Sequence, residues 1–127
     1  MVIPEQSEVI DITERFFTAY NETDLDTLRT LFTDEVRWGR HNSGFMGNGR
    51  EKLLQVIREI QTTVPDRCLG KTTRRAVTGN VVYTENLWSG TPVATAAGFQ
   101  AGVNVALDCA SVFIVEGGRI SEWTHYT

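Results

Sequence analysis

GVNVALDCASVFIVEGGRISEWTHY, from Gly102 to Tyr126, is the stretch that decides the fold. Its first half predicts a long β-strand over Gly102–Val115, because one set of residues alternates with another. The first set is Val103, Val105, Leu107, Cys109, Ser111, Phe113 and Val115, and the second is Asn104, Ala106, Asp108, Ala110, Val112 and Ile114. Glu116-Gly117-Gly118 predicts a hairpin turn, and Arg119–Tyr126 a returning strand. The end of the chain is therefore expected to be an antiparallel hairpin with one face turned to a core.

The remaining chain divides into a helical first half and strands that lead up to the hairpin. Apolar residues at helical spacing predict three helices, over Ser7–Tyr20, Asp24–Thr33 and Gly49–Val64. Thr23 with Asp26 resembles a capping box for the second helix, and Pro65 blocks continuation of the third. Further strands are predicted over Glu35–Gly39, Arg67–Val77 and Val81–Ser89, and Arg40–Asn48 is expected to be a loop. Helices followed by a run of strands predict an α+β fold.

Length and composition set further bounds. The 127 residues fit one domain over 1–127, and a formal net charge of −4 argues against a nucleic-acid surface. Cys68 and Cys109 form neither a disulfide framework nor a zinc pattern, which favours a reducing cytoplasm. The N-terminus lacks the pattern of a signal peptide, and no apolar run approaches membrane-spanning length.

Four blocks carry a resemblance to a known family: ERFFTAYNETDLDTLRTLFTDEV (Glu14–Val36), GNGREKLLQVI (Gly47–Ile57), GNVVYTENLW (Gly79–Trp88) and SVFIVEGGRISEWTHYT (Ser111–Thr127). In this order they resemble the nuclear transport factor 2-like superfamily, in its SnoaL-like polyketide cyclase and limonene-1,2-epoxide hydrolase branches. The resemblance implies a cone-shaped, curved mixed sheet wrapped around three N-terminal helices and enclosing one apolar pocket. It also implies a dimer through the outer face of the sheet. Its members include enzymes and binding modules, so the fold does not fix the function.

The catalytic residues of the family do not carry over to this chain. At the epoxide hydrolase positions, His125 replaces the carboxylate of the last strand, and Asn86 and Trp88 replace an Arg and an Asp. Trp38 and Arg40 replace the Tyr and Asn that hold the attacking water. At the ketosteroid isomerase positions, Phe16 replaces a Tyr, Arg40 an Asp, and a residue close to Ala110 the strand Asp. Neither reaction is therefore expected in unchanged form.

Strand alternation predicts which side chains face the pocket. The inward polar set is Arg40, Thr84, Asn86, Ser111 and His125. The inward apolar set is Trp38, Trp88, Trp123, Leu107, Cys109 and Phe113, and Phe16 and Tyr20 of the first helix join it as substrate-binding residues.

Among these, His125 is the candidate general acid/base, because an imidazole titrates near neutral pH. Arg40 and Asn86 are candidate polarising donors. Each has a structural alternative. His125 could be a structural histidine that is hydrogen-bonded near the chain end, and Arg40 could pair with a surface carboxylate. Asn86 could form hydrogen bonds with backbone groups. Two histidines without clustered carboxylates predict no metal site, and no nucleotide or other cofactor motif is present.

Three hypotheses of function follow. The first is a cofactor-independent isomerase, cyclase or dehydratase that acts on a hydrophobic small molecule. The second is a non-catalytic ligand-binding module, with an altered epoxide hydrolase as a further alternative. The third is an interaction protein or homodimer that uses the outer sheet face, where Ala106, Ala110, Val112 and Ile114 are expected to be exposed.

Overall fold

The computed structural model describes residues 4–41, 44–95 and 98–127. These residues form three helices: α1 (Pro4–Glu22), α2 (Leu25–Leu31) and α3 (Arg50–Thr63). They also form seven strands: β1 (Phe32–Arg40), β2 (Phe45–Asn48), β3 (Cys68–Leu69), β4 (Arg74–Thr78), β5 (Val81–Gly90), β6 (Val105–Glu116) and β7 (Arg119–Tyr126). None of the described helices is long and apolar enough to cross a membrane.

The helices lie where their apolar periodicity predicts them, with different ends. Helix α1 begins at Pro4 rather than at Ser7, and proline suits a first helical turn because no hydrogen bond is lost there.

The predicted capping box of Thr23 and Asp26 is wrong. Asp24 is the N-cap of α2, and its carboxylate accepts a hydrogen bond from the backbone N–H of Thr27 at 3.2 Å. Thr23 has a φ of 53° and forms the turn after α1.

Two strand predictions need correction. The segment Arg40–Asn48 is not a loop throughout, because Phe45–Asn48 is strand β2 and pairs antiparallel with β1; residues 42 and 43 of that prediction lie outside the described residues. The segment Arg67–Val77 is not one edge strand. It forms β3 and β4, which pair with different parts of β5 and are separated by residues 70–73.

The strands form one mixed sheet in the order β2-β1-β7-β6-β5-β3, with β4 also on β5. Strand β1 runs parallel to β7, and the other pairs are antiparallel. The register shifts within β1 and at Ile114/Val115 in β6, and such irregularities bend a sheet. The predicted α+β class with a mixed sheet is confirmed.

The core lies between the helices and the inner face of the sheet. Phe16 of α1 is fully buried and packs edge-on against Phe32, Phe113 and Trp123, at centroid distances of 5.8, 5.3 and 4.8 Å. This aromatic cluster anchors α1 across β6 and β7, and such pairs add to area burial. Trp123 belongs to this cluster and also lines a cavity beside it.

Candidate functional site

A cavity of about 340 Å³ lies between α1, α3 and the inner face of the sheet, a volume typical of small-molecule sites. Most of its wall is apolar. It is lined by Tyr20, Trp38, Gly39, Arg40, Leu53, Val56, Ile57, Ile60, Trp88, Phe99, Leu107, Trp123, His125 and Thr127.

The three tryptophans line this cavity, on the face that strand alternation predicted for them. Their indole N–H groups form hydrogen bonds with other groups of the protein. Trp38 Nε1 donates to the Gly49 carbonyl at 3.2 Å, and Trp123 Nε1 donates to Ser111 Oγ at 3.2 Å. Trp88 Nε1 donates to the Tyr20 hydroxyl at 3.1 Å. The indole rings therefore present hydrocarbon to a ligand while their polar edges are satisfied.

Trp38 owes its position to a close approach of strand β2. A Cβ atom on Gly47 would lie 2.7 Å from Trp38 Cζ2, so only glycine leaves room for the indole in this place. The indole lies over β2 and forms one wall of the cavity.

His125 is the titratable imidazole of the cavity. It is half-buried on β7, and its backbone aligns with Arg40 on β1 and with Ser111 on β6. Burial, and secondarily the positive charge of Arg40, lower the pKa of His125 to about 4. The imidazole is therefore neutral at physiological pH, and it can accept a proton.

Arg40 lies at the exposed end of the cavity. Its Nη2 donates to Thr127 Oγ1 at 3.4 Å, and its charge is close enough to lower the pKa of His125. The predicted pair of His125 and Arg40 is thus brought together by the parallel pairing of β7 with β1.

The third predicted polar residue, Asn86, does not line the cavity. Its buried amide donates to the Gly70 carbonyl at 2.8 Å and to Thr72 Oγ1 at 3.1 Å, which ties β5 to the segment between β3 and β4. The alternative interpretation, an Asn that satisfies neighbouring polar groups, describes this geometry.

Five further residues of the predicted substrate-binding set also lie outside the cavity wall. Phe16 and Phe113 are in the aromatic core, and Ser111 accepts the Trp123 N–H. Thr84 is fully buried, and Cys109 is buried with its pKa raised by desolvation. Strand alternation predicted an inward face for the four strand residues among them, and all four are buried without lining the cavity.

Several cavity residues were not predicted as site residues. Leu53, Val56, Ile57 and Ile60 of α3, together with Phe99, Gly39 and Thr127, complete the wall. The apolar stripe of α3 predicts the helix, but the sequence does not indicate which of its residues line a pocket. Nothing in its periodicity distinguishes a residue that packs against protein from one that faces a cavity.

The described residues contain no group of three or more His, Cys, Asp and Glu side chains that could hold a metal ion. The cavity wall, as far as the structure describes it, also contains no Asp or Glu side chain.

Residues 13–123 match the SnoaL-like domain family, and the chain belongs to that family. Its fold is that of the nuclear transport factor 2-like superfamily, which confirms the family resemblance of the sequence. No curated protein matches the chain in sequence.

Solved structures share the cone-shaped fold over nearly the whole chain. An epoxide hydrolase of Mycobacterium tuberculosis, described as similar to limonene epoxide hydrolase, is 26% identical with a TM-score of 0.78 and covers 97% of this chain and 84% of its own. A presumed SnoaL-like polyketide cyclase from a Jannaschia species is 17% identical, with a TM-score of 0.87 and coverage of 98% and 88%. IdmH, a presumed polyketide cyclase of Streptomyces antibioticus, is 24% identical, with a TM-score of 0.78 and coverage of 92% and 89%.

Proposed function

We propose that this chain is a cofactor-independent enzyme of the isomerase, cyclase or dehydratase type that acts on a hydrophobic small molecule in the cavity. The observation that carries the proposal is a neutral imidazole, His125, at one end of an apolar cavity beside the fixed charge of Arg40. The structures with the same fold include proteins described as polyketide cyclases and an epoxide hydrolase.

In the proposed reaction His125 acts first as a base. The imidazole is unprotonated at neutral pH, so it removes a proton from an acidic C–H group of the bound substrate. The resulting imidazolium then returns the proton to a different atom of the same molecule. Isomerisation, cyclisation and dehydration all use such a transfer, and none requires a metal or an organic cofactor.

An altered epoxide hydrolase is the second candidate, because the Mycobacterium tuberculosis enzyme has the same fold at 26% identity. Attack of water on an epoxide needs a base and an acid near the leaving oxygen. The described cavity wall has no Asp or Glu side chain for either role, so the proton-transfer proposal is favoured.

A non-catalytic binding module is the remaining alternative, and isotope exchange separates it from an enzyme. The probe is 2-tetralone, a bicyclic ketone with acidic C–H groups, in D₂O with mass-spectrometric detection of deuterium uptake. We expect the protein to accelerate uptake, and we expect His125→Ala to reduce the acceleration by about 100-fold or more. His41→Ala is the matched control, because His41 is exposed and packs on Tyr126 at a centroid distance of 5.0 Å.

Acceleration that is equal in the wild type and in His125→Ala would remove His125 from the mechanism. Binding of 2-tetralone without any acceleration of exchange would favour the binding module.

We also propose that two copies pair through the outer sheet face. Val112 and Ile114 are only partly buried there, and Leu87 on the neighbouring strand is 45% exposed. Sedimentation velocity at micromolar concentration is expected to show a dimer that Val112→Glu converts to a monomer. A wild-type monomer under these conditions would refute the pairing.

A further inference from the structure

Phe99 is an aromatic residue of the cavity wall that comes from the connection between β5 and β6. The residue is half-buried, and its ring stacks on the indole of Trp88 with a centroid distance of 5.6 Å and an interplanar angle of 14°. Such an offset stack of two aromatic rings is favourable beyond the apolar area that it buries. Phe99 therefore reaches the cavity by lying against the ring of Trp88.

The connection that carries Phe99 is tied to the rest of the fold. The Val93 N–H donates to the Thr63 carbonyl at the end of α3 at 2.8 Å. The Gly102 N–H donates back to the Pro92 carbonyl at 2.8 Å, so the connection closes on itself. Gly102 has a φ of 78°, a conformation that glycine adopts readily. These hydrogen bonds hold the Phe99 ring in a defined place at the cavity.

Phe99 and His125 lie at opposite ends of the cavity. Trp88, against which Phe99 stacks, is aligned with Leu107 of β6, and His125 is aligned with Ser111 of the same strand. Leu107 and Ser111 are four residues apart, which corresponds to about 13 Å along a strand. A ligand whose reacting group contacts the imidazole therefore extends toward Phe99.

Phe99 differs from the tryptophans of the wall in how it is held. The N–H groups of Trp38 and Trp123 donate hydrogen bonds to other groups of the protein, so their removal would leave unpaired acceptors. The side chain of Phe99 has no polar atom, and it is half-buried rather than part of the fully buried core. Its truncation is therefore expected to lengthen the cavity and to leave the core intact.

We propose that Phe99 is the end wall of the cavity and determines the length of the apolar part of the ligand. This inference rests on the proposed function, because the length is measured from the group that reacts at His125. It assigns the substrate to a class of molecules with a polar reacting group at one end and an apolar body that ends at the Phe99 ring.

A series of methyl ketones from 2-hexanone to 2-dodecanone tests the end wall by isothermal titration calorimetry. Each methylene group that becomes buried is expected to raise the affinity about fourfold. In the wild type this gain is expected to stop at the chain length that meets Phe99. In Phe99→Ala the gain is expected to continue to longer chains, and burial of two further methylene groups would raise the affinity for those ketones about 15-fold over the wild type.

Two further variants complete the experiment. Phe99→Trp enlarges the end wall, so the gain in affinity is expected to stop at a shorter chain than in the wild type. Val93→Ala is the matched control, because Val93 is on the same connection, is 66% exposed and does not line the cavity. This control is expected to keep the limiting chain length of the wild type.

The limiting chain length separates an end wall from a residue that only stabilises the fold. An equal loss of affinity for every ketone in Phe99→Ala would show that Phe99 merely supports Trp88, and it would overturn the proposal. The same limit in the wild type, Phe99→Ala and Phe99→Trp would also overturn it.

A measurement on the wild type needs no variant to fold. In ¹H–¹⁵N spectra, the Trp88 Nε1–H signal is expected to move only with the longer ketones. The Trp38 Nε1–H signal is expected to move with short and long ketones alike, because β1 brings Trp38 to the His125 end, where Arg40 is aligned with His125. Equal movement of the Trp88 signal with 2-hexanone and 2-decanone would refute the placement of the ligand.

These binding results do not depend on turnover. If 2-tetralone exchange fails while the limiting chain length follows residue 99, the proposed reaction is lost and the end wall is retained. If exchange depends on His125 while the limit does not move, the proposed reaction is retained and the end wall is lost.

Discussion

The low pKa of His125 predicts a specific loss of stability in acid. A histidine in an unfolded chain has a pKa near 6.5, and burial beside Arg40 lowers it to about 4 in the folded protein. Between these two values the unfolded chain binds more protons than the folded one, so stability falls as the pH falls. Well above pH 6.5 both states are neutral at this position, and His125 contributes no pH dependence there.

The magnitude follows from the two pKa values. Acidification from pH 7 to pH 5 is expected to remove about 2 kcal/mol of unfolding free energy through His125, and the full difference approaches about 3 kcal/mol near pH 4. Carboxylates also titrate toward the lower end of this pH range, so measurements on the wild type alone do not isolate the contribution of His125 to the free energy of unfolding. The difference between the wild type and His125→Asn does, because the carboxylates are common to both.

The assay is urea unfolding at pH 7, 6 and 5, followed by tryptophan fluorescence and far-ultraviolet circular dichroism. We expect His125→Asn to lose about 2 kcal/mol less than the wild type between pH 7 and pH 5. His41→Asn is the control, since it removes an exposed imidazole outside the cavity, and it is expected to follow the wild type. Identical losses in the wild type and in His125→Asn would show that the imidazole is not desolvated, and the proposed neutral base would lose its physical support.

Three further substitutions test individual features of the fold. Asp24→Ala removes the cap that accepts from the Thr27 N–H and is expected to lower the urea midpoint of unfolding; an unchanged midpoint would contradict the capping assignment. Thr84→Val replaces a fully buried hydroxyl that has no hydrogen-bond partner among the described residues, and it is expected to raise stability by about 1 kcal/mol, so a lower urea midpoint would count against this account. Gly47→Ala is expected to push the Trp38 indole into the cavity and to weaken naphthalene binding about tenfold, and unchanged affinity with an unshifted tryptophan emission would refute the contact.

Most of the fold could be predicted from the sequence because its signals are local. The alternation of β6, the Gly-Gly turn and the apolar stripes of α1 and α3 each depend on neighbouring residues only. The missed strand β2 and the divided edge strand are different. Both are short, and they are strands because β1 and β5 offer them pairing partners distant in sequence.

The candidate site could be predicted in part. Alternation along the strands predicted that His125, Arg40 and the three tryptophans face inward, and these residues line the cavity. Asn86 lies on the same face of β5 as Trp88, but its amide donates a hydrogen bond to the Gly70 carbonyl and does not line the cavity. Arg67 begins the predicted edge strand Arg67–Val77, where an arginine among other charged residues is typically solvated, and the sequence does not indicate that it is buried.

The sequence by itself determined the family, the three helices and the inward faces of β5, β6 and β7, since these follow from residue pattern. The tertiary structure alone decided which inward side chains reach the cavity and which are covered by α1 and α3. It also decided the charge state of His125 and the burial of Arg67 against Tyr20. Desolvation and the distance between charges depend on every element packed around a group, and no local pattern records them.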